Sequence, residues 1–164
     1  MSKDMTAAET RAKAGAGGEH REFVSITVDG QLFGIPVLQV QDVLGPQRIT
    51  RIPLAPPEVA GSLNLRGRIV TAIDLRTRLR MAPLADGQQG MSIVVDHGGE
   101  LYSVMVDAVG EVLSLDGEAA ERNPATLDPV WREISGGIYR LEKSLLIVLD
   151  VARVLDFSVR AEAA

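Results

Sequence analysis

Side chains suited to catalysis are few in this sequence. His20 and His97 are its two histidines, the residues whose ordinary pKa lies near neutrality. His20 falls in a stretch without a sustained apolar pattern and His97 falls beside a predicted turn, so neither has an evident partner for general acid–base catalysis. A serine nucleophile also lacks the G-x-S-x-G segment that typically presents it. We therefore expect no catalytic residues and no enzymatic activity.

Patterns that hold metals, cofactors or phosphate groups are equally scarce. The sequence has no cysteine, which excludes disulfide bonds, thiolate catalysis and cysteine-based zinc sites. Asp96 and His97 form only a weak metal-binding pair, because the other aspartates stand singly where capping accounts for them. Neither G-x-G-x-x-G nor G-x-x-x-x-G-K-[ST] occurs. We expect no metal and no cofactor, so function should lie in surfaces that bind partners.

The best candidate for such a surface is an arginine turn within Gly61–Leu79, which reads GSLNLRGRIVTAIDLRTRL. Arg66 offers a rigid set of guanidinium donors suited to a specific partner contact. Asn64 and Gly67 are expected to shape the turn that presents it. A solvated turn residue is the simpler interpretation of an isolated arginine, but the context of Arg66 favours a functional role.

That context is an internal duplication. An offset of 76 residues matches Gly61, Leu65, Ile69, Ile73, Asp74 and Leu79 with Gly137, Leu141, Leu145, Leu149, Asp150 and Leu155. The Arg66–Gly67 turn instead falls on Glu142–Lys143. A second offset of 69 residues matches the segments upstream, from Gly30 on Gly99 to Leu44 on Leu113. Residues 22–79 and 91–155 therefore form two copies of one unit, with a short insertion in the second.

Short strands joined by tight turns should position the arginine turn. Asp29-Gly30 and Gly98-Gly99 each separate two runs of strand-forming residues, and both dipeptides tolerate the positive φ angles of a hairpin. LNLRGRIVTAID predicts a further strand, turn and strand. Because no long helical period appears, we expect a mainly β protein with two small closed or nearly closed sheets, whose closure would remove exposed edges.

Several shorter elements are also predicted. Pro36 followed by valines three residues apart predicts a short helix over residues 36–43. QRITRI at 47–52 predicts another strand. Asp74 should cap a helix in LRTRL, and DVARVLDF should close the chain as a second capped helix.

Composition and charge restrict the partners. Hydrophobic residues make up 46% of the chain and aromatic residues 4%, so the core must be mainly aliphatic. The net charge of −5 gives no global attraction for nucleic acid. Residues 45–80 nevertheless carry seven arginines against two acids, whereas residues 96–133 carry nine acids against two arginines. Since no apolar run approaches the length of a membrane span, we expect a soluble, cytoplasmic protein.

NLRGRIVTAIDLR, preceded by FGIPVLQVQDVLGPQRITRIP, resembles the CheW-like domain family of bacterial chemotaxis coupling proteins. The resemblance runs from about Glu22 to Phe157, through VMVDAVGEVLSL to SLLIVLDVARVL. It implies a mainly β fold of two small five-stranded β-barrel lobes, SH3- or OB-like, that share a hydrophobic core and carry short helices. The chain departs from the family at Thr71, Asp42 and Ser103, where Pro, Glu and Gly are frequent.

The resemblance and the duplication together predict the domain organisation. We expect a flexible N-terminal tail over 1–21, a CheW-like domain over 22–158, and a C-terminal tail over 159–164. Within the domain, lobe one should span about 22–80 and lobe two about 91–157, joined by MAPLADGQQG. An exchange of elements between the lobes, such as the last helix crossing back, is left open.

The resemblance also implies a non-catalytic adaptor with two partners, located in the cytoplasm at membrane-anchored chemoreceptor arrays. One partner is the regulatory domain of a CheA-type histidine kinase, and the other is the helical cytoplasmic tip of chemoreceptors. No nucleic acid and no membrane insertion are expected. The positions matching receptor contacts are Val40, Asp42, Gly61, Asn64, Arg66 and Gly67, and those matching kinase contacts are Met91, Val109 and Val112. Core packing is the alternative interpretation for the valines.

Two other functions fit the composition less well. An oligonucleotide- or ligand-binding β-barrel would use the basic stretch from Arg48 to Arg80, but aromatic residues for base stacking are scarce. A small hydrolase would require a nucleophile that the sequence does not reveal.

Overall fold

A computed structural model describes residues 19–85 and 87–156 of the chain. Within these ranges the strands are β1 His20–Val28, β2 Gln31–Pro36, β3 Val40–Leu44, β4 Val59–Leu65, β5 Arg68–Asp74, β6 Met91–His97, β7 Glu100–Val106, β8 Ala108–Asp116, β9 Ser135–Arg140 and β10 Leu145–Leu149. The α-helices are α1 Leu75–Arg78, α2 Pro129–Ile134 and α3 Val151–Val154, and single 3₁₀ turns occupy Val37–Gln39 and Gly117–Ala119. His20 and Arg21, assigned above to the tail, open β1, and Glu19 directly precedes it. The rest of both predicted tails lies outside the described residues.

The strands form two five-stranded sheets. Sheet A has the order β8-β1-β2-β10-β9, and sheet B has the order β3-β6-β7-β5-β4. The predicted mainly β fold with two five-stranded units and short helices is thus confirmed. Closed barrels are not confirmed, because within the described residues the two edge strands of each sheet share no continuous ladder. An isolated bridge, Thr50–Ser62 in sheet B and Glu121–Ile138 in sheet A, joins a loop to the β4 or β9 edge instead.

Each sheet combines strands from both sequence copies. The duplication relates β1–β5 to β6–β10, and the two sheets have the same strand order under this relation. The hairpin β1–β2 of the first copy completes the sheet of the second, while the hairpin β6–β7 completes the sheet of the first. The ranges 22–80 and 91–157 therefore each contribute strands to both sheets, because the copies exchange their hairpins reciprocally.

The strand register confirms both sequence offsets. Thr71 lies opposite Tyr102 in the parallel pair of sheet B, and Ile147 lies opposite Phe33 in the parallel pair of sheet A. The two pairs are equivalent, because Thr71 and Ile147 are related by the offset of 76 residues and Phe33 and Tyr102 by the offset of 69. A register shift where β1 meets β8 also recurs where β6 meets β3. Duplicated sequence therefore produces duplicated pairing, including its irregularities.

A shared hydrophobic core lies between the sheets, as predicted. Alternate residues of a strand point to opposite faces, so Val24 packs in the shared core while Phe23 packs in a smaller core of sheet A. Sheet B has its own small core around Leu63, Val70 and Ala72. The shared core comprises residues from both copies, chiefly Ile26, Phe33, Ile35, Leu75, Ile93, Val104, Ile138, Ile147 and Leu149.

The helices α1 and α3 meet where the two copies join. Arg78 is buried in α1, and its guanidinium donates from Nε to the carbonyl of Val154 and from Nη2 to that of Arg153, both at 3.0 Å. These carbonyls belong to the last turn of α3, where cationic donors are favourable. Since Arg78 and Val154 are equivalent in the duplication, the last helix packs on the helix of the first copy.

Two local predictions were wrong. The helix over 36–43 reduces to the 3₁₀ turn Val37–Gln39, because Val40 and the residues after it pair with β6 instead. β-branched valines fit a strand at least as well as a helix, and tertiary pairing decided between them. The strand over 47–52 reduces to the bridge at Thr50.

The helix α2 was missed. Asp128 accepts a hydrogen bond from the backbone N–H of Val130 at 2.8 Å, and Pro129 follows the cap. Aspartate directly before proline is the usual signal for a helix start, and this pair carries it.

Gly61 lies at a register shift between β4 and β5, where the backbone of Thr50 approaches closely. Its φ is 150°, and a Cβ atom there would stand 2.2 Å from the carbonyl oxygen of Thr50. We expect Gly61→Ala to lower the free energy of unfolding by about 1–3 kcal/mol, because backbone atoms cannot yield as a flexible side chain can. Urea denaturation followed by circular dichroism measures this. Gly137→Ala is the matched control, with a similar φ of 133° but 3.0 Å to Glu121 O, and should cost less. If the two variants lost the same free energy of unfolding, the close approach of Thr50 to Gly61 would not explain the loss.

Candidate functional site

The arginine turn joins β4 to β5 as a two-residue hairpin. Arg66 and Gly67 have φ angles of 52° and 84°, the positive pair that a twisted two-residue hairpin needs. The side-chain Oδ1 of Asn64 accepts a hydrogen bond from the backbone N–H of Gly67 at 2.9 Å. Asn64 and Gly67 therefore shape the turn in the expected way, and Arg66 stands at its tip.

Arg66 and Asp42, both predicted receptor-binding residues, form an ion pair. Arg66 Nη2 lies 2.9 Å from Asp42 Oδ2, although the residues belong to a turn and to the strand β3 at the far edge of sheet B. The Arg66 side chain is 76% exposed and that of Asp42 is 25% exposed. Such an exposed pair contributes at most about 1 kcal/mol to stability. Its main effect is to orient a guanidinium that remains largely open to solvent.

The other two predicted receptor-binding residues lie apart from this cluster. Val40 pairs with Val95 and Asp42 pairs with Val94, so a bulge turns Val40 toward the opposite face of the sheet. There Val40 is half-buried against the shared core. Gly61 is buried beneath Thr50, so it offers no surface for a partner and acts through the backbone.

The predicted kinase-binding residues differ in what they display. Met91 and Val109 are half-buried and pack against the shared core. Val112 is 48% exposed on β8, an edge strand of sheet A that pairs with β1. Of the three, Val112 therefore presents the most accessible apolar surface.

A partly buried charge cluster escaped the sequence analysis. Arg76 donates from Nε to Asp107 Oδ1 at 2.7 Å and from Nη2 to Asp107 Oδ2 at 2.6 Å, a two-pronged pair. Its Nη1 donates to the carbonyl of Ala82 at 2.7 Å. Asp107 Oδ2 also accepts the backbone N–H of Asp29 at 2.8 Å. The hydrogen bonds from Arg76 hold the pKa of Asp107 below its ordinary value and raise the pKa of Arg76.

This cluster links the two sheets. Arg76 lies in α1 directly after sheet B, Asp107 separates β7 from β8, and Asp29 forms the hairpin turn of β1–β2 in sheet A. The charges therefore fix the angle between the sheets at one side of the shared core. No local motif reveals the pair, because its members are 31 residues apart and meet only through the exchanged hairpins.

None of the predicted site residues lines either of two surface grooves. One, of about 400 Å³, is lined by Phe23, Pro36, Leu38 and Tyr139 among others. The other, of about 300 Å³, includes Arg76 and Asp107 in its wall. The predicted contacts accordingly form surfaces on turns and strand edges and do not line these grooves.

The described part of the chain shows neither a metal-ligand cluster nor a membrane-spanning helix. There, no three His, Cys, Asp or Glu side chains are grouped to hold a metal ion. Asp96 Oδ1 instead accepts the backbone N–H of Gly99 at 3.3 Å, which gives it a role in the hairpin turn. No helix among these residues has the length and apolar character needed to cross a membrane.

The sequence is similar to characterised proteins over most of its length. The profile of the CheW-like domain family matches residues 22–158. A protein from Klebsiella aerogenes named chemotaxis protein CheW is 32% identical over 136 residues, which cover 83% of this chain and 82% of that protein. A protein of the same name from Helicobacter pylori is 25% identical over 157 residues, covering 93% and 94% of the two chains.

The fold is also similar to a solved structure. The crystal structure of the scaffolding protein TtCheW from Thermoanaerobacter tengcongensis aligns with a TM-score of 0.75 and 26% sequence identity. The alignment covers 84% of this chain and 94% of that chain. The likeness therefore extends to both sheets and is not limited to the arginine turn.

The Arg76–Asp107 pair predicts a specific dependence of stability on pH. Because the pKa of Asp107 is lower in the folded state, its carboxylate stabilises the fold above its ordinary pKa of about 3.9, and this is lost as pH falls through the folded-state pKa. Asp107→Asn should lower the free energy of unfolding by about 1–3 kcal/mol at pH 7 and by progressively less below pH 4. Urea denaturation across this pH range measures the difference.

Glu142→Gln, at an exposed turn residue, is the control and should change stability little at either pH. A loss from Asp107→Asn that stays constant with pH would show that packing, and not charge, is responsible.

Proposed function

Because the chain belongs to the CheW-like domain family, we propose that it is a non-catalytic adaptor that couples chemoreceptors to a CheA-type histidine kinase. The family and the relatives support a chemotaxis scaffold, and the two named partners are the specific part of the proposal. The observation that carries it is the ion pair between Arg66 and Asp42, which unites two residues selected separately as receptor contacts.

The receptor surface is proposed to be centred on Asp42, Asn64, Arg66 and Gly67. Asn64 and the positive φ of Gly67 hold the turn, and Asp42 orients the guanidinium, so little side-chain freedom is lost when a partner binds. A guanidinium that is oriented but exposed suits a carboxylate on a receptor helix. Val40 contributes apolar contact from the other face of β3, and Gly61 acts indirectly by fixing the path of β4.

The kinase surface is proposed to follow β8, with Val112 as its most exposed apolar residue. An edge strand offers unpaired backbone groups, so a similar sheet in the kinase regulatory domain can pair with it. Val109 lies on the same strand, and both it and Met91 of β6 pack against the shared core.

The adaptor acts by assembly. Two surfaces on one rigid body raise the effective concentration of each partner for the other, so contacts of modest individual strength produce a stable complex. Kinase control then passes through the relative positions of the partners. This places the protein in the cytoplasm, at arrays of membrane-anchored receptors.

The structure weakens the oligonucleotide-binding alternative. That function would use the arginines between Arg48 and Arg80, yet Arg66, Arg76 and Arg78 all form ion pairs within the chain. Arg78 is moreover buried. Fewer free cations remain for a phosphate backbone than the sequence suggests.

Arg66 provides the test of the receptor surface. Arg66→Ala should leave the circular dichroism spectrum and the unfolding midpoint nearly unchanged, because the exposed pair contributes at most about 1 kcal/mol. The same change should reduce receptor-dependent kinase activation at least about tenfold, since a charge-assisted contact is lost. Activation is measured in reconstituted receptor, kinase and adaptor assemblies.

The charge-swapped variant Arg66→Asp with Asp42→Arg separates two explanations. We expect no recovery, because the partner still needs a cation at position 66. Full recovery would show that the pair serves only to shape the turn, and unchanged activation in Arg66→Ala would remove Arg66 from the site. Arg68→Ala, at a neighbouring exposed arginine, is the control and should remain active.

The kinase surface has a matched control in the duplication. Val112→Lys should weaken binding of the isolated kinase regulatory domain about tenfold or more, because a lysine on an edge strand opposes strand pairing. Val43→Lys changes the equivalent residue of β3, also partly exposed, and should leave kinase binding intact. Isothermal titration calorimetry measures both. Equal weakening in the two variants would contradict the assignment of β8.

A further inference from the structure

The two surface grooves described above occupy equivalent positions in the duplication. We call the groove of about 400 Å³ the sheet A groove and that of about 300 Å³ the sheet B groove. Six residues that line the sheet A groove have their equivalents, 69 residues later, in the lining of the sheet B groove: His20, Arg21, Phe23, Pro36, Val37 and Leu38. The differences between the two linings therefore show what each groove can hold.

The sheet B groove is partly filled by the chain itself. Arg76 pairs with Asp107 in its wall and also donates to the carbonyl of Ala82, in the segment that follows α1. Leu84 of the same segment lies over Gly90, where an added Cβ atom would stand 3.4 Å from Leu84 Cδ1. An ion pair and a leucine side chain thus occupy part of this groove.

The sheet A groove has no equivalent of that ion pair. Ala152 stands at the position of Arg76, and Leu38 stands at the position of Asp107. Leu38 is 93% exposed at the edge of the groove. Arg21 replaces Gly90 and adds a guanidinium to the lining. The sheet A groove therefore gains an apolar side chain and a cation that the sheet B groove does not have at these positions.

Two aromatic rings provide much of the apolar lining. Phe23 and Tyr139 are buried, with ring centroids 5.5 Å apart and planes at 60°. Pro36 and Val148 also line the groove. Its volume of about 400 Å³ lies in the range of small-molecule sites, in which an apolar lining carries a few polar groups that orient the ligand.

A buried polar group in this lining has no partner. Tyr139 is 2% exposed, and its hydroxyl forms no hydrogen bond with the described residues. Burial raises the pKa of Tyr139 and the positive charge of Arg21 opposes this rise, so the guanidinium lies near the hydroxyl. Arg21 itself is exposed and forms no ion pair within residues 19–85 and 87–156. A buried hydroxyl normally has an acceptor, and an unpaired guanidinium suits a carboxylate.

The other charged and titratable groups at this end of the groove leave Arg21 available. Glu22 alternates with Arg21 and Phe23 along β1, so its side chain leaves the strand on the opposite face. Asp116 Oδ1 accepts the backbone N–H of Glu118 at 2.9 Å. His20 Nδ1 lies 3.2 Å from the hydroxyl oxygen of Ser114. An anion in the groove therefore meets the guanidinium of Arg21 without displacing an acidic partner.

We propose that the sheet A groove binds a small amphipathic carboxylate of the short fatty acid type. The apolar chain of the ligand lies against Phe23, Val148 and Leu38. Its carboxylate accepts hydrogen bonds from the Arg21 guanidinium and the Tyr139 hydroxyl, which gives each of these groups the partner it lacks. The proposal does not depend on the adaptor function, because none of the residues assigned to the receptor and kinase surfaces lines this groove.

Titration of the full chain, labelled with nitrogen-15 and followed by NMR, tests the site. Octanoate should shift the amide signals of Phe23, Leu38 and Tyr139 in a saturable way. Signals from the sheet B groove should stay unchanged, because Arg76 is already paired there. Octan-1-ol has the same apolar chain without the charge and should bind about tenfold more weakly. The proposal is overturned by equal affinity for the two compounds, by octanoate shifts spread over both grooves, or by no shifts.

Arg21 is the residue that should distinguish the two compounds. Arg21→Gln should lower the affinity for octanoate about tenfold and leave the affinity for octan-1-ol unchanged, since only the charged contact is lost. Arg132→Gln is the matched control, because Arg132 is also exposed but lies on α2 outside the groove. It should bind octanoate normally. An equal loss of octanoate binding in the two variants would show non-specific attraction by charge and overturn the proposal.

Two further variants test the groove and its hydroxyl. A Cβ atom at Gly136 would make only ordinary contacts, 3.8 Å to Val148 Cγ1 and 3.9 Å to Asp150 Cβ, and the equivalent residue Ala60 already carries one. Gly136→Leu should therefore block octanoate and octan-1-ol alike while the thermal unfolding midpoint stays the same. Tyr139→Phe should weaken octanoate more than octan-1-ol without lowering the midpoint, because the hydroxyl it removes is unpaired. Octanoate binding that persists in Gly136→Leu would place the ligand elsewhere and overturn the proposal.

Discussion

Reciprocal exchange of two hairpins is the constraint on which the rest of this structure depends. Neither sheet is complete without a hairpin from the other copy, so the two sheets must be built against one another. Alternating residues of the exchanged strands then bury a core that belongs to both. Arg76 and Asp107 fix the sheets at one side of that core, and Arg78 joins the helices of the two copies. Rigidity follows from this arrangement, and an adaptor needs rigidity because its partners must be held at fixed separation.

The two copies differ in the segments that connect their strands. The arginine turn replaces an ordinary turn in one copy, and α2 lies in the longer connection of the other. The groove beside Arg76 includes the Arg76–Asp107 pair in its wall, whereas the groove beside Leu38 includes the aromatic rings of Phe23 and Tyr139. A duplicated scaffold can thus keep the same strand pairing in both copies while the surface of each copy varies independently. The proposed receptor and kinase surfaces differ in chemistry in this way, since one is centred on a charged turn and the other on an apolar edge strand.

Local sequence signals predicted many of the turns and helix caps. Asp29-Gly30 and Gly98-Gly99 occupy the hairpin turns, and Asp74 and Asp150 cap short helices, because each depends on neighbours in sequence. The helix over 36–43 was wrong because valine spacing fits both helix and strand until β6 is in place. The exchange of hairpins and the Arg76–Asp107 pair depend on residues far apart, which periodicity does not relate. Arg66 and Asp42 were chosen separately, and only the structure shows that they touch.

The order of synthesis gives the exchanged hairpins a further consequence. All the strands of sheet B lie between Val40 and Val106, so this sheet can assemble while the ribosome is still translating the rest of the chain. The hairpin β1–β2 emerges first yet must wait for β8, β9 and β10, which emerge last. Until those strands are synthesised, only the nascent chain and cellular chaperones can shield the apolar residues of β1 and β2 from water. The first strands to be synthesised are therefore the last to pair with the strands that complete their sheet.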